Sequence, residues 1–225
     1  DLEAKGRTFG KQGGTLRTLV TRSKDTRQMV VYGYARLVGY DQNYELKPDI
    51  LQAVDVEDNR KFTLHLRPGH RWSDGTPFTS ADFEYWWKHV INNPLITPSG
   101  PPTWMSVDGK LGRVTFPDDH TVIFEWDAPN PGFLPLLAQA RPPFIYRPAH
   151  YLKQFHPKYT AMEAIEELMK QEDDETWVSL FNRMNTAWPV YATNLNPDRP
   201  VLTSHVFVEQ VENMNIFERN PYYWK

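Results

Sequence analysis

The side chains that could do chemistry in this chain are its 7 histidines and the adjacent carboxylates at Asp118-Asp119, Glu166-Glu167 and Asp173-Asp174. Neighbouring carboxylates can share acid and base work when one is held protonated and the other ionised. Here the first pair falls in a turn and the other two on polar helix faces, a pattern that favours solvated surface over catalysis. The histidines are scattered, with no two at i, i+4 on an expected helix, so a histidine zinc site would need remote residues to converge. Cysteine is absent, which removes disulfides, thiolate metal sites and thiol nucleophiles together. No Gly-x-Ser-x-Gly elbow, phosphate-binding loop, His-Glu-x-x-His or Gly-x-Gly-x-x-Gly run occurs. The expectation is a protein that is not an enzyme and has no resident metal or cofactor. Among the aromatics, Phe83, Trp86 and Trp87 lie at core spacing, whereas Trp104 stands on a loop without a periodic partner and is a candidate for ligand or interface contact.

The elements that must position these residues follow from local pattern. Thr15 to Val20 is rich in strand formers and feeds the polar run Thr21-Arg22-Ser23-Lys24-Asp25, while 29 to 40 reads as a short helix. Phe62, Leu64 and Leu66 alternate with polar neighbours at the period of a half-buried strand, and Glu57-Asp58-Asn59-Arg60 turns the chain, so 53 to 67 is expected to be a hairpin. Thr79-Ser80-Ala81-Asp82 has the spacing of a capping box. The apolar residues Phe83, Trp86, Trp87, Val90 and Ile91 follow at helical spacing until Asn92-Asn93-Pro94. Residues 94 to 112 read as a long loop, Val114 to Trp126 as a second hairpin around Pro117-Asp118-Asp119-His120, and 127 to 148 as a packed loop with one short helix. A second capping box, Thr160-Ala161-Met162-Glu163, introduces a helix striped by Met162, Ile165 and Met169. Trp177, Leu180, Phe181 and Met184 mark another helix, and 206–211 and 215–219 return to strand chemistry.

The bulk composition narrows the function classes. With 225 residues and 40% hydrophobic content the chain can bury a core. A net charge of −3 offers no positive field to a phosphate backbone, which argues against a nucleic-acid partner. No apolar run approaches the roughly 18 residues that a membrane-spanning helix needs. The start Asp1-Leu2-Glu3-Ala4-Lys5 has no apolar signal core, so a secretory signal was either never present or has been removed.

Phe62-Thr63-Leu64-His65-Leu66-Arg67-Pro68-Gly69 and Arg71-Trp72-Ser73-Asp74-Gly75-Thr76-Pro77-Phe78-Thr79-Ser80-Ala81-Asp82-Phe83 resemble the signature of family 5 solute-binding proteins. These are the oligopeptide, dipeptide and nickel-binding class of ABC importers. Leu37-Val38-Gly39-Tyr40-Asp41, Leu46-Lys47-Pro48-Asp49-Ile50-Leu51 and Phe217-Glu218-Arg219-Asn220-Pro221-Tyr222-Tyr223-Trp224 agree in order, so the likeness runs from about residue 13 to 225.

The resemblance implies a mixed α/β (α+β) fold, a lobe of the type II periplasmic-binding-protein kind with an inserted β-rich subdomain, the second lobe being absent. Residues 1–14 would be a flexible arm, 15–45 and 188–225 part of ligand-binding lobe I, and 46–187 the inserted subdomain with two hairpins and helices. The family holds its ligand between lobes by hinge closure, so one half alone is expected to bind weakly at most. The ligand contacts so implied are Arg22, Ser23, Lys24 and Asp25 after the first strand, and Thr203, Ser204 and His205 before the terminal strands. Each could equally be a solvated loop residue. Where many relatives carry Val-Gly-Thr-Gly-Pro-Tyr, this chain reads Arg199-Pro200-Val201-Leu202-Thr203-Ser204-His205-Val206, so specificity does not transfer from the peptide binders. The expected role is that of a monomer in the periplasm or outside the cell, which captures peptides or similar small solutes and delivers them to ABC permease subunits. The rival is a stand-alone interaction or glycan-binding module using aromatics such as Trp104. A hydrolase with a dispersed triad is a third reading, one that turnover abolished by replacing a single Ser or His would support.

Overall fold

Residues 13–22, 25, 36–139, 142–185 and 196–223 are described by the computed structural model. The first strands, β1 (Val38–Tyr40) and β2 (Leu46–Pro48), form a short antiparallel pair. Asp41 makes their turn, its Oδ1 accepting from the Asn43 and Glu45 amides at 2.8 and 3.0 Å, the local bonding that places aspartate in turns. β3 (Ala53–Glu57) and β4 (Lys61–His65) are the expected hairpin, turned by Asp58 and Asn59 at φ 52° and 53°. Phe62, Leu64 and Leu66 face the core and are each 1% exposed or less.

Helix α1 (Ser80–Tyr85) starts where the capping box predicts: the Ala81 amide donates to Thr79 Oγ1 and the Thr79 amide to Asp82 Oδ2. Trp86–Ile91 continues the helix in π form. The wider turn brings Tyr85 and His89 inward beside Phe83, Trp86, Val90 and Ile91, and leaves Trp87 only partly buried. His89 Nε2 then meets the Tyr159 hydroxyl at 2.7 Å, tying the helix to the turn at 156–160.

The expected loop 94–112 contains a 3-10 turn at Thr103–Met105 and two short paired strands, β5 (Ser106–Val107) and β6 (Lys110–Leu111). β7 (Arg113–Asp118) and β8 (Thr121–Glu125) form the second hairpin. Pairing of β4 with β8 joins both hairpins into one antiparallel sheet of order β3-β4-β8-β7, with Phe62 opposite Phe124 and Leu64 opposite Val122. Pro117 is tolerated because β7 is an edge strand whose register shifts between Thr115 and Asp118. Helix α2 (Phe133–Ala138) closes the apolar face, the Phe133 ring centre lying 5.1, 4.9 and 5.0 Å from those of Phe62, Phe124 and Trp126. Then come α3 (Ala149–Leu152), α4 (Met162–Glu172), α5 (Trp177–Met184) and the hairpin of β9 (His205–Val211) with β10 (Met214–Arg219).

Four expectations are corrected. Thr15–Val20 is not a strand: the segment has no ladder partner among the described residues, Leu16 and Leu19 are exposed, and a lone extended segment has nothing to hold it. Of the helix expected over 29–40, Val38–Tyr40 is strand, because its backbone pairs with β2; 29–35 lie outside the described residues. Thr160 does not cap α4, since its hydroxyl donates to the Lys153 carbonyl at 3.0 Å and the N-cap is Ala161 without a side-chain bond. Met162 is exposed, and α4 buries Ile165 fully while Leu168 and Met169 pack partly against the core.

Candidate functional site

The segment Trp72–Pro77 is a tight reversal that other parts of the chain close upon. Its own bonds are Trp72 N–H to Thr76 O at 2.8 Å, Gly75 N–H to Trp72 O at 2.9 Å and Thr76 N–H to Asp74 Oδ1 at 3.0 Å. The Trp72 ring is buried edge-on to Phe78, centres 5.5 Å apart, with Tyr146 at 6.0 Å. Its indole N–H donates to Asp82 Oδ2 at 3.0 Å, and Asp82 Oδ1 accepts the Ala149 amide at 3.0 Å. One buried carboxylate thus caps α1, anchors Trp72 and fixes the start of α3. Burial pushes the Asp82 carboxyl up to about 6, against the pull of those three donors.

On the outer side of the reversal, Ser73 exchanges bonds with Val201: the Ser73 amide donates to Val201 O at 2.9 Å, and the Val201 amide donates to Ser73 Oγ at 3.0 Å. Asn220, 1% exposed, completes the tie. Its Nδ2 donates to Thr203 O at 2.9 Å, its Oδ1 accepts from Tyr222 N–H at 2.9 Å, and its backbone amide donates to Ser204 O at 2.9 Å. Asp74 lies beside His150 at 2.7 Å. Burial pushes Asp74 up, but the Thr76 amide and His150 outweigh it and hold the carboxyl below its usual range.

Gly75 has φ 88°, and a Cβ there would come within 2.9 Å of the Tyr222 hydroxyl. Gly75→Ala should therefore cost about 1–2 kcal/mol in a urea unfolding measurement, most of it from the left-handed backbone. Tyr222 is 43% exposed, so its ring has room to move aside. If Tyr222→Ala in the same chain abolished the cost, crowding and not the backbone would be its source.

The sequence-derived contact residues fall as follows. Thr203, Ser204 and His205 are adjacent and internally bonded, Thr203 Oγ1 donating to His205 O at 2.9 Å and Ser204 Oγ lying 3.0 Å from His205 Nδ1. Ser204 is buried, and its two neighbours are half-buried. Arg22 is exposed and Asp25 half-buried; among the described residues their hydrogen bonds stay within their own turn, where the Asp25 amide donates to Arg22 O at 2.9 Å. Ser23 and Lys24 lie outside the described residues. Among the described residues no hydrogen bond or ion pair joins that turn to Thr203–His205. Trp104 packs partly buried on the core: its ring stacks on Trp86 at 6.4 Å and lies 6.3 Å from that of Phe133. Its isolation along the sequence thus hid a packing role. Beyond its place in the capping box, the sequence pattern gives Asp82 no tie to Trp72 or Ala149, and it gives Asn220, Arg147 and Arg199 no role. The signal that could have found Arg147 is a positive charge at the end of an apolar run, Phe144-Ile145-Tyr146; Arg199, directly after Asp198, carries no such signal.

Residues 45–225 match the profile of the bacterial extracellular solute-binding proteins, family 5, middle region. The chain belongs to this family. The periplasmic alpha-galactoside-binding protein of Rhizobium meliloti is 29% identical over 182 residues, covering 79% of this chain and 23% of its own length. The periplasmic murein peptide-binding protein MppA of Escherichia coli is 32% identical over 118 residues, which is 45% of this chain and 21% of that protein. Among solved structures, an oligopeptide-binding protein OppA superposes with a TM-score of 0.75 at 35% identity, covering 90% of this chain and 30% of that one. The chain therefore spans less than a third of the length of each. The mixed helix-and-strand architecture is that of part of a periplasmic binding-protein lobe. The relatives are binding proteins.

Proposed function

We propose that this chain is part of the solute-capturing component of an ABC importer, which takes up peptides or similar small solutes and hands them to the membrane permease. What carries the reading is family membership over 45–225 together with the OppA likeness at 35% identity. In this reading residues 15–45 and 188–225 belong to the ligand-binding lobe, and 46–187 form the inserted subdomain. The contacts would come from Thr203, Ser204 and His205, held against the Ser73 reversal, and from Arg22, Ser23, Lys24 and Asp25. The protein would work as a monomer in the periplasm or outside the cell, and turn over nothing.

An oligosaccharide is the second reading, favoured by the relative named for alpha-galactosides, which aligns over 79% of the chain. Isothermal titration of the full-length protein against tri- to pentapeptides and against raffinose-type galactosides separates the two. The expected result is saturable binding of a peptide in the micromolar range or tighter. Binding of the galactosides alone would move the substrate class, and a protein that bound neither group would overturn the capture role.

A further inference from the structure

His89 and His156 lie side by side in the core, 9% and 5% exposed, with ring centres 5.5 Å apart. They meet where helix 80–91 packs on the turn that follows α3. Tyr85 and Tyr159 flank them, each ring centre within 6.4 Å of both imidazoles. Helix α5 covers His156 with Trp177 and Phe181, whose ring centres are 5.3 and 5.8 Å away. The capture reading gives this buried pair nothing to do.

The hydrogen bonds of His156 tolerate a neutral ring and reject a protonated one. Its Nδ1 accepts the Lys158 amide at 3.2 Å. Its Nε2 faces Asn93 Nδ2 at 3.3 Å. The Asn93 side chain cannot turn its oxygen toward the ring, because Oδ1 already accepts the Leu95 and Ile96 amides at 3.0 and 3.4 Å. Both ring nitrogens therefore look at N–H donors. A neutral imidazole has one lone pair and can answer one of them, whereas an imidazolium has two N–H groups and can answer neither. A proton on His156 thus sets a buried charge against two donors and breaks the bond from the Lys158 backbone. His89 Nε2 meets the Tyr159 hydroxyl at 2.7 Å, a bond that serves either state of the ring, so His89 contributes through its burial and its closeness to His156.

We propose that His89 and His156 form an acid-sensitive latch, which holds the turn at 153–160 and α5 against helix 80–91 at neutral pH and lets them go when the pair takes up protons. The charges around the pair favour release. Helix 80–91 presents Lys88 and Glu84, ion-paired to each other, and the turn presents Lys158 and also Lys153, whose Nζ stands 5.1 Å over the Tyr159 ring. The α5 side presents the apolar rings of Trp177 and Phe181. Burial, then Lys158, His156 and Lys88, push His89 down to about 4 against the pull of Glu84, and burial with Lys158 pushes His156 below its usual range. Both folded values lie under the ordinary 6.5, so the stability they contribute is fully present above pH 6.5 and is lost as pH falls toward 4. The opening is local, because Asp82, which ties Ala149 at the start of α3, gains stability in the same range. Acid therefore tightens the joint at 149 and loosens the one at 156.

The test is amide hydrogen exchange of the full-length protein at pH 7 and pH 5, each rate divided by that of the unfolded chain at the same pH. One histidine freed from such a site raises the opening equilibrium about twentyfold over this interval, so the amides of Lys158, Tyr159 and Thr160 should quicken by about that factor or more. The amides of Leu64 and Phe124, in the four-stranded sheet, should keep their protection. His156→Gln and His89→Gln should each weaken the response, and the double variant should abolish it. The proposal falls if the acid effect at 158–160 is below about fivefold, if the sheet amides quicken equally, or if the double variant responds as wild type does. Proton NMR titration of the wild-type imidazoles needs no variant: both should titrate below pH 6, and a His156 midpoint at pH 6 or higher would overturn the latch even if the variants failed to fold.

Discussion

Replacing Asp82 by alanine should lower the unfolding free energy at pH 7 by about 3 kcal/mol, because three donors lose their acceptor at once. The Trp72 indole N–H and the Ala149 amide are left unpaired in the core, and the Thr79 amide loses its half of the helix cap. Urea unfolding at constant m-value is the measurement. A loss below about 1 kcal/mol would mean the carboxylate is no keystone.

The same residue gives a pH signature with a definite sign. Its folded pKa of about 6 lies above the ordinary 3.8, so between these values the folded protein holds a proton that the unfolded chain does not. The stabilisation linked to that proton is fully present below about pH 4 and is lost as pH rises through 6. Asp82→Asn removes it, so wild type should gain stability relative to this variant as pH falls from 7 to 4. His70, His89 and His156, lowered chiefly by burial, act with the opposite sign in both proteins and cancel in the difference. A difference independent of pH would show that Asp82 titrates as an ordinary surface carboxylate.

Asn220→Ala should cost about 2 kcal/mol and, unlike the Asp82 variants, should act on one region. The orientation of this amide is fixed by its surroundings: two carbonyls, of Val201 and Thr203, face the Nδ2 end and the Tyr222 amide faces Oδ1. Removing it releases 201–204 from the Ser73 reversal while the four-stranded sheet keeps its own pairing. Amide exchange should therefore quicken at Ser73 and Val201 and stay unchanged at Phe62, Leu64 and Phe124. Uniform loss of protection would show instead that the tie is part of the global core. Asn220→Asp should be no better than alanine, because it keeps the bond from Tyr222 but turns a charge toward carbonyls.

What the sequence revealed was local. The period-two run at Phe62, Leu64 and Leu66, the cap at Thr79 and the stripe from Trp177 to Met184 are each set by neighbours within a few residues, and each appears where the pattern puts it. Thr160 had the same cap spacing and failed, because a carbonyl seven residues back competes for its hydroxyl. The long-range joints left no periodic trace: Asp82 meets Ala149 across 67 residues, and the hairpins give no hint that β4 pairs with β8. The candidate site was legible only through its resemblance to a family. That pointed to Thr203, Ser204 and His205 but not to the asparagine that holds their backbone.

Ser73 and Val201 are separated by 128 positions along the chain. The β3–β4 hairpin closes over a few residues and can form in microseconds, whereas this tie waits for a loop of more than a hundred residues to close. The stretch that would touch a solute is thus secured later on folding than the hairpin and comes loose before it. Hydrogen exchange begun at successive times during refolding should find the Val201 amide protected after Leu64. Simultaneous protection of the two would show a single cooperative step.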